Sequence, residues 1–389
     1  MKNVKYVTGK LVLPLLVLVI SVYLYSCNEK PLEPPPPPVV EPDTVSRYIW
    51  TIYPGLTQGY NVYASDTNYV HIVLGPRLGY WNGTGFGINS LNDYNFNVYN
   101  VYGYGKDVIF VSGYKTINGK DLPIVKKVDH GVITEIVLDT VENLMYDQLI
   151  IGPDEAWFAS FLKNDIYHYK NGVIKKYRSY HNDSLVSGVF YKNSNDEIFL
   201  FQCQDNYPKS LSKEQKLQNM LERKSYGPGT MYSFKFENDK FNLLSSQCYG
   251  AEDPNCFTIL IYQCGDDALM VSNIDKISVF NGYNWQRHSY LDSSDTSPQR
   301  IGGVSKDSLV IFTINYGYLF TYNGTKWRIE NNSPWLMHPP SLGHSNIEAK
   351  FGNFYFFEYS PLSMLPGHFY VGRPNKQILR KYIIFFFFL

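Results

Sequence analysis

An acidic turn followed by an apolar strand recurs along this chain at intervals of roughly forty residues, and this repeat constrains the fold more than any other feature. Each copy places an aspartate at the turn and a mostly apolar run directly after it. The clear copies begin at Asp66, Asp107, Asp154, Asp196, Asp266 and Asp307, and a degenerate copy begins at Gly352. Such a period is typical of solenoids and propellers, in which neighbouring copies of one unit bury a shared core.

Each acidic turn can be placed inside a unit of four strands, as the third copy illustrates. An apolar segment at 143–151 precedes the turn, and a second one follows at 155–160. The third segment, 165–169, ends at the hairpin signal Asn171-Gly172. The fourth, 173–178, alternates in polarity, which is typical of an outer strand with one face in water.

The later strands of the unit carry a second shared pattern. An aromatic residue precedes Asn-Gly at the end of the third strand in three other copies, and the fourth strand then contains Phe86, Trp285 or Trp327. The full pattern resembles the two-component-regulator type of β-propeller repeat and the propeller blades of exported bacterial lipoproteins, over about 47–376. The resemblance implies an all-β fold, a single propeller of about seven four-stranded blades. A β-sandwich or a β-helix fits four strands per repeat less well.

Two segments compete to complete the last blade. Residues 47–53 look like a fourth strand and would close the ring by pairing the two ends of the domain, which removes a free sheet edge. The alternative is 377–388, within the phenylalanine-rich C-terminus. That terminus could also be a strand buried on both faces or the product of a shifted reading frame.

The N-terminus predicts export and a lipid anchor. Lys2, Lys5 and Lys10 precede a short apolar run, as in a signal peptide over 1–26. Leu24-Tyr25-Ser26-Cys27 matches the bacterial lipobox, and this resemblance to lipoprotein precursors implies cleavage before Cys27 and acylation of that cysteine, including palmitate. A simple secretory signal with an incidental cysteine is the alternative. Asn28 favours the outer membrane, with the periplasmic or external face left open.

A proline-rich tether follows the lipidated cysteine over 27–46 and predicts an extended spacer, although such a segment can also be a ligand for SH3-type domains. The propeller domain then occupies 47–389. An insert at about 205–229 carries a short amphipathic helix, predicted to lie between the second and third strands of the fourth blade. The insert is either a decorated surface loop or an element that docks a partner.

The cysteines of the propeller domain sort by their position in the predicted units. Cys203, Cys248 and Cys256 fall toward one face of the ring, and Cys264 falls toward the other. An exported protein permits disulfides, so we expect Cys248 to pair with Cys256 and Cys264 to pair with neither.

Motifs for chemistry are scarce in this sequence. The repeated carboxylate pairs, such as Asp154 with Glu155, could act as glycosidase acids and bases, but their repetition in blade after blade favours a turn role in which aspartate bonds nearby amides. No metal-ligand spacing appears, and no cofactor is expected. Basic and aromatic residues in the loops between second and third strands form a candidate ligand-binding set: Arg77, Tyr114, Lys163 and Tyr316.

The balance of positive and negative residues limits the class of molecule that the protein is expected to bind. Lysine plus arginine and aspartate plus glutamate number 35 each, which disfavours nucleic acid because its partners need a basic footprint. We therefore expect a monomer that is a non-catalytic binding or scaffold module on the cell envelope, recognising a protein or a polysaccharide. The alternative is a propeller enzyme of glycosidase or lyase type, with its site at the mouth of the central channel.

Replacing the predicted acylation site, Cys27→Ser, should release the protein from membranes. The substituted chain lacks the thiol that would carry lipid, so radiolabelled palmitate incorporation should fall to background and the protein should move to the soluble fraction. Cys264→Ser is the matched control and should label as the wild type does. Labelling that survives in Cys27→Ser would contradict the lipobox interpretation.

Overall fold

The computed structural model describes a ring of β-sheets within residues 48–374. Gaps in the described residues fall at 57–60, 75–76, 90, 92, 94, 142–144, 161–163, 180–184, 205–228, 250–258, 265–266, 273–275, 291–297, 314–318, 326, 331–342, 345–346, 351 and 360–366. Among the described residues no helix has the length and apolar character needed to cross a bilayer.

Seven antiparallel sheets confirm the predicted all-β propeller with seven blades. One strand, β1 (Tyr48–Leu56), precedes the first blade. The first three blades are built from β2 (Asn61–Asp66), β3 (Tyr69–Leu74), β4 (Arg77–Trp81) and β5 (Phe86–Asn89); β6 (Phe96–Tyr104), β7 (Val108–Ile117), β8 (Lys120–Asp129) and β9 (Val132–Val137); and β10 (Met145–Gly152), β11 (Glu155–Ser160), β12 (Asp165–Lys170) and β13 (Val173–Arg178).

The next three blades repeat the same strand order. They are built from β14 (Leu185–Lys192), β15 (Ile198–Gln204), β16 (Gly229–Glu237) and β17 (Lys240–Tyr249); β18 (Ile259–Cys264), β19 (Asp267–Ser272), β20 (Lys276–Phe280) and β21 (Trp285–Tyr290); and β22 (Pro298–Ser305), β23 (Ser308–Thr313), β24 (Leu319–Tyr322) and β25 (Trp327–Ile329). The predicted insert position is confirmed, because it lies between β15 and β16; the predicted helix itself lies outside the described residues.

The seventh blade is irregular. Its first strand is divided into β26 (Gly343–His344) and β27 (Glu348–Lys350), which both pair with β28 (Asn353–Tyr359). The sequence predicted one continuous strand there. β29 (Gly367–Pro374) follows as the third strand of the blade.

The fourth strand of this blade is β1, from the other end of the domain. β1 runs antiparallel to β29, with Tyr48 opposite Pro374 and Tyr53 opposite Phe369. The prediction that 47–53 closes the ring is thus confirmed, and the alternative segment 377–388 lies outside the described residues. Aromatic side chains hold the closing strand: Trp50 lies 5.6 Å from Phe356 between ring centres, and its ring occupies the space that a Cβ on Gly372 would need.

The acidic turns join the first and second strands of their blades, as predicted. Their side chains do more than bond local amides, however. The Asp66 carboxylate accepts a hydrogen bond from the hydroxyl of its neighbour Thr67. The Asp154 carboxylate instead accepts a hydrogen bond from the ammonium of Lys127, on the preceding blade, at 2.6 Å. The expected role in the turn is therefore accompanied by a contact between blades that the repeat pattern did not indicate.

The Asn-Gly hairpins adopt two different backbone conformations. Asn171 and Gly172 both have positive φ, at 50° and 82°, as a two-residue type I′ turn requires. At Asn82 only the following glycine is left-handed, and the asparagine side chain accepts the amides of Thr84 and Gly85 at 3.2 and 2.9 Å. Asn281 binds the chain after it in the same way, at 2.9 and 3.0 Å.

The hydrophobic core is divided into seven clusters, and each cluster lies between two neighbouring blades. Trp157 shows the packing: it is 1% exposed on β11 and contacts Phe236 and Phe241 of the fourth blade, with ring centres 4.7 and 5.7 Å apart. Phe86, Trp285 and Trp327, singled out on fourth strands, all pack into these clusters. Because the clusters continue around the whole ring, each blade has both faces covered by its neighbours.

Deleting residues 48–53 should lower the melting temperature by at least about 10 °C. The deletion removes three aromatic side chains from two clusters and exposes the edge of β29, and losing even one large buried ring costs about 3–5 kcal/mol. Deleting the five prolines 34–38 of the tether is the control and should leave the melting temperature unchanged. Equal melting temperatures for the two deletions would show that β1 does not stabilise the ring.

Candidate ligand-binding channel

The first strands of the blades surround the axis of the ring and enclose a cavity of about 400 Å³. Six of the seven blades contribute to its wall, through β6, β10, β14, β18, β22 and β27. This volume falls in the range of small-molecule sites. We call this cavity, lined by those six first strands, the channel.

Asp147 on β10 is one of two carboxylates on the channel wall. A β-bulge at the start of β10, between Met145 and Asp147, shifts the register and sets where this side chain lies. Its Oδ2 accepts the backbone N–H of Phe190, from the next blade, at 2.8 Å. The side chain is enclosed by the ring although part of it reaches the channel, and this burial raises the pKa of Asp147 to about 7.

Glu348 on β27 is the second carboxylate, and it lies beside Lys350. Burial raises the pKa of Glu348 to about 7, against the lowering effect of Lys350 and of the Ala64 amide. Burial likewise lowers the pKa of Lys350. The Lys350 ammonium lies over the ring of Tyr63, 4.2 Å from its centre, and donates to the Tyr63 hydroxyl at 3.1 Å.

Tyr63 links this charged pair to the second blade. Its hydroxyl donates to the carbonyl of Gly103 at 2.8 Å, and burial together with the charge of Glu348 raises the pKa of Tyr63 well above its usual range. The first, second and seventh blades therefore share one polar network where the ring closes.

The charged groups are ordered along the channel axis. Asp147 pairs with Ala159, four residues beyond the start of β11, whereas Glu348 pairs with Tyr355, two residues beyond the start of β28. At about 3.3 Å per residue, Asp147 lies roughly 7 Å further from the acidic turns than Glu348. Lys350, at the very end of β27, lies nearest to those turns.

Two of the candidate loop residues chosen from the sequence, Arg77 and Tyr114, are described, and neither is on this wall. Arg77 is exposed at the start of β4, and Tyr114 lies half-buried on β7 with its ring 5.6 Å from that of Tyr99. Arg77 is next to the connection between the second and third strands, as predicted, whereas Tyr114 lies inside β7 opposite Pro123 and not in the turn. Lys163 and Tyr316 lie outside the described residues, so a ligand role for the four remains a prediction.

The cysteine predictions are addressed only in part. Cys264 is buried at the end of β18 with a free thiol, as expected, and burial raises the pKa of that thiol. Cys248 lies on β17, and Cys256, like Cys27, lies outside the described residues. The proposed pair of Cys248 with Cys256 stays a prediction.

The paired carboxylates of the acidic turns have partners of their own. Glu155 binds His168 and Lys170, each at 2.9 Å. Hydrogen bonds from Lys235 and Asn193 lower the pKa of Glu197. In the described part of the chain no three His, Cys, Asp or Glu side chains are grouped as a metal ion would require.

Sequence reasoning missed Asp147 and Glu348, although one signal was available. Asp147 is a charged residue inside a segment that otherwise predicts a buried first strand, and buried charge is costly unless it serves a purpose. Glu348 carries a weaker signal because the repeat is degenerate in the seventh blade.

Comparisons with known proteins support the fold. No family model matches the sequence, and a search of curated proteins finds no similar chain. Among solved structures, virginiamycin B lyase from Staphylococcus aureus has a TM-score of 0.57 at 12% identity, covering 84% of this chain and 100% of that one. YCF48 bound to a D1 peptide has a TM-score of 0.56 at 12% identity, covering 85% and 96%. Raptor from Chaetomium thermophilum has a TM-score of 0.54 at 7% identity, covering 85% of this chain and 30% of that one. At these identities the likeness extends to the propeller architecture alone.

Proposed function

We propose that this protein is a non-catalytic binding propeller of the bacterial cell envelope, which receives part of a protein or glycan partner in its channel. The observation that carries the proposal is the cavity of about 400 Å³ on the ring axis, with charged and aromatic side chains on its wall. A concave site with few polar groups on rigid strands is what a binding protein needs.

Binding fits the arrangement of the carboxylates better than catalysis does. Asp147 and Glu348 stand on the third and seventh blades, and each is held by a backbone amide of the blade next to its own. A glycosidase needs two carboxylates facing one bond, with the acid and the base or nucleophile on its two sides. Here the two carboxylates stand on blades that are not neighbours, and one of them has a lysine beside it.

The envelope location is part of the same proposal. The lipobox at Cys27 and the proline-rich tether support a lipid-anchored protein of the outer membrane, with the propeller held away from the bilayer. The repeat resembles that of two-component regulators, which suits recognition of a ligand in the envelope. A monomer is consistent with a ring whose blades cover one another's faces.

A second candidate is an enzyme of lyase or glycosidase type with its site at the channel mouth. The observation in its favour is that burial raises the pKa values of both Asp147 and Glu348 to about 7, the range in which a side chain can give and take protons at neutral pH. The two candidates differ in whether a bound partner is chemically changed.

Filling the channel should abolish partner capture. Gln263 lines the cavity from the first strand of the fifth blade, and Gln286 is exposed on the outermost strand of the same blade. We expect immobilised Gln263→Trp to capture at least tenfold less protein or glycan from an envelope extract than the wild type, as measured by mass spectrometry. The control Gln286→Trp, with the same side chain outside the ring, should capture as the wild type does.

Equal capture by all three proteins would contradict a channel site, provided that Gln263→Trp melts within a few degrees of the wild type. Incubating the protein with a captured molecule then distinguishes a binding function from an enzymatic one. A captured molecule that keeps its mass supports binding. A mass change that the wild type causes and Glu348→Gln does not would establish the enzyme.

A further inference from the structure

We propose that the channel binds an organic ammonium or guanidinium group, with the Asp147 carboxylate as its anchor. This inference rests on the proposed binding function and names the chemistry of its ligand. The group would be carried either by a small amine or by a lysine or arginine side chain of a peptide.

The first argument is the absence of a counter-charge at Asp147. Glu348 has Lys350 beside it, and Lys350 is itself held over the Tyr63 ring. Asp147 accepts the backbone N–H groups of Phe190 and Gln148, and among the described residues no cation forms an ion pair with it. A buried carboxylate without a counter-charge is costly, so a cation that enters beside it recovers free energy.

The second argument is an acceptor without a donor on the neighbouring residue. Gln148 lines the channel and is 4% exposed. Its Nε2 donates to the carbonyl of Phe110 at 3.2 Å, while its Oε1 is buried with no hydrogen-bond donor in the described part of the chain. A turn of the Gln148 side chain would bring this acceptor to the cavity, where an ammonium group with three donors or a guanidinium group with five can use it.

The third argument is the aromatic part of the wall. Tyr102 and Tyr262, both half-buried, line the same cavity, and aromatic faces attract cations within about 6 Å. The aromatic ring of Tyr63 already has one cation over its face, the Lys350 ammonium.

The charge balance of the channel also favours a cation. In the described part of the chain, the titratable groups on its wall are Asp147, Glu348, Lys350, Tyr102 and Tyr262. Above pH 7, where both carboxylates are ionised, these groups carry one net negative charge if the lysine is protonated. Because burial raises the pKa of Asp147 to about 7, a bound cation favours the ionised form and releases a proton.

Calorimetric titration of the full chain tests this proposal with benzylammonium and benzylguanidinium, and benzyl alcohol as the neutral probe. We expect at least one cation to bind at least tenfold more tightly than the alcohol. Its apparent affinity should rise about tenfold from pH 6 to pH 8, as the ionised fraction of Asp147 grows. A lysine-containing tripeptide that binds more tightly than benzylammonium would identify a peptide as the source, and the reverse order would identify a small amine.

Two variants of the third blade make the test specific. Asp147→Asn should weaken cation binding at least tenfold and remove its pH dependence, whereas Asp154→Asn removes a carboxylate from the acidic turn and should bind as the wild type does. Equal binding of benzyl alcohol, or unchanged binding by Asp147→Asn, would overturn the proposal.

The melting temperature supplies a readout without ligand. Because the pKa of Asp147 is raised from its ordinary value near 4 to about 7, stability falls as pH rises from about 4 to about 7, so Asp147→Asn should melt higher than the wild type at pH 8.5 and by a clearly smaller margin at pH 5. No difference at pH 8.5 would show that the carboxylate charge is already compensated. If the cation tests fail, channel-dependent capture of a partner still supports the proposed function. If capture is lost while cations still bind, only the proposed function is overturned.

Discussion

Packing between neighbouring blades is the interaction on which the rest of this structure depends. A four-stranded sheet has two faces to cover, and here each face is covered by the adjacent blade, through a cluster rich in large aromatic and aliphatic side chains. Trp157 illustrates how specific these clusters are, because it stacks on His168 of its own blade, at 3.9 Å between ring centres, while its edges meet rings of the next blade. Losing any one interface leaves two faces exposed, so the ring is stable only as a closed whole.

The sequence predicted the parts of the fold that local chemistry decides. The acidic turns and the Asn-Gly hairpins need particular backbone angles and side-chain acceptors, and these requirements are visible residue by residue. The closing strand could be proposed because 47–53 resembles a fourth strand and lies directly before the first strand of the first blade. The division of the seventh blade's first strand was not foreseen, since the repeat signal is weakest there.

The candidate site was harder to foresee because it depends on the register of paired strands, and no sequence motif marks its residues. Asp147 and Glu348 come from strands two hundred residues apart in sequence, and only the closure of the ring places them on one cavity. A β-bulge sets the position of Asp147, and bulges leave no clear mark in a single sequence. Their pKa values depend on enclosure by neighbouring blades, which no pattern of spacing reveals. The sequence directed attention to the connections between second and third strands, because turn residues can be recognised from sequence alone.

The pairing of β1 with β29 has a consequence for how the chain reaches its native state. β1 is made before any blade, and its partner strand is among the last parts of the domain to be made, so the contact order of this pair is close to the maximum that the domain allows. Until β29 forms, the aromatic side chains of β1 lack the native surface that covers them in the closed ring. A chain of this kind gains from a chaperone that shields this strand until the ring closes. The strand that completes the ring is also the one with the longest interval between its own synthesis and that of its partner strand.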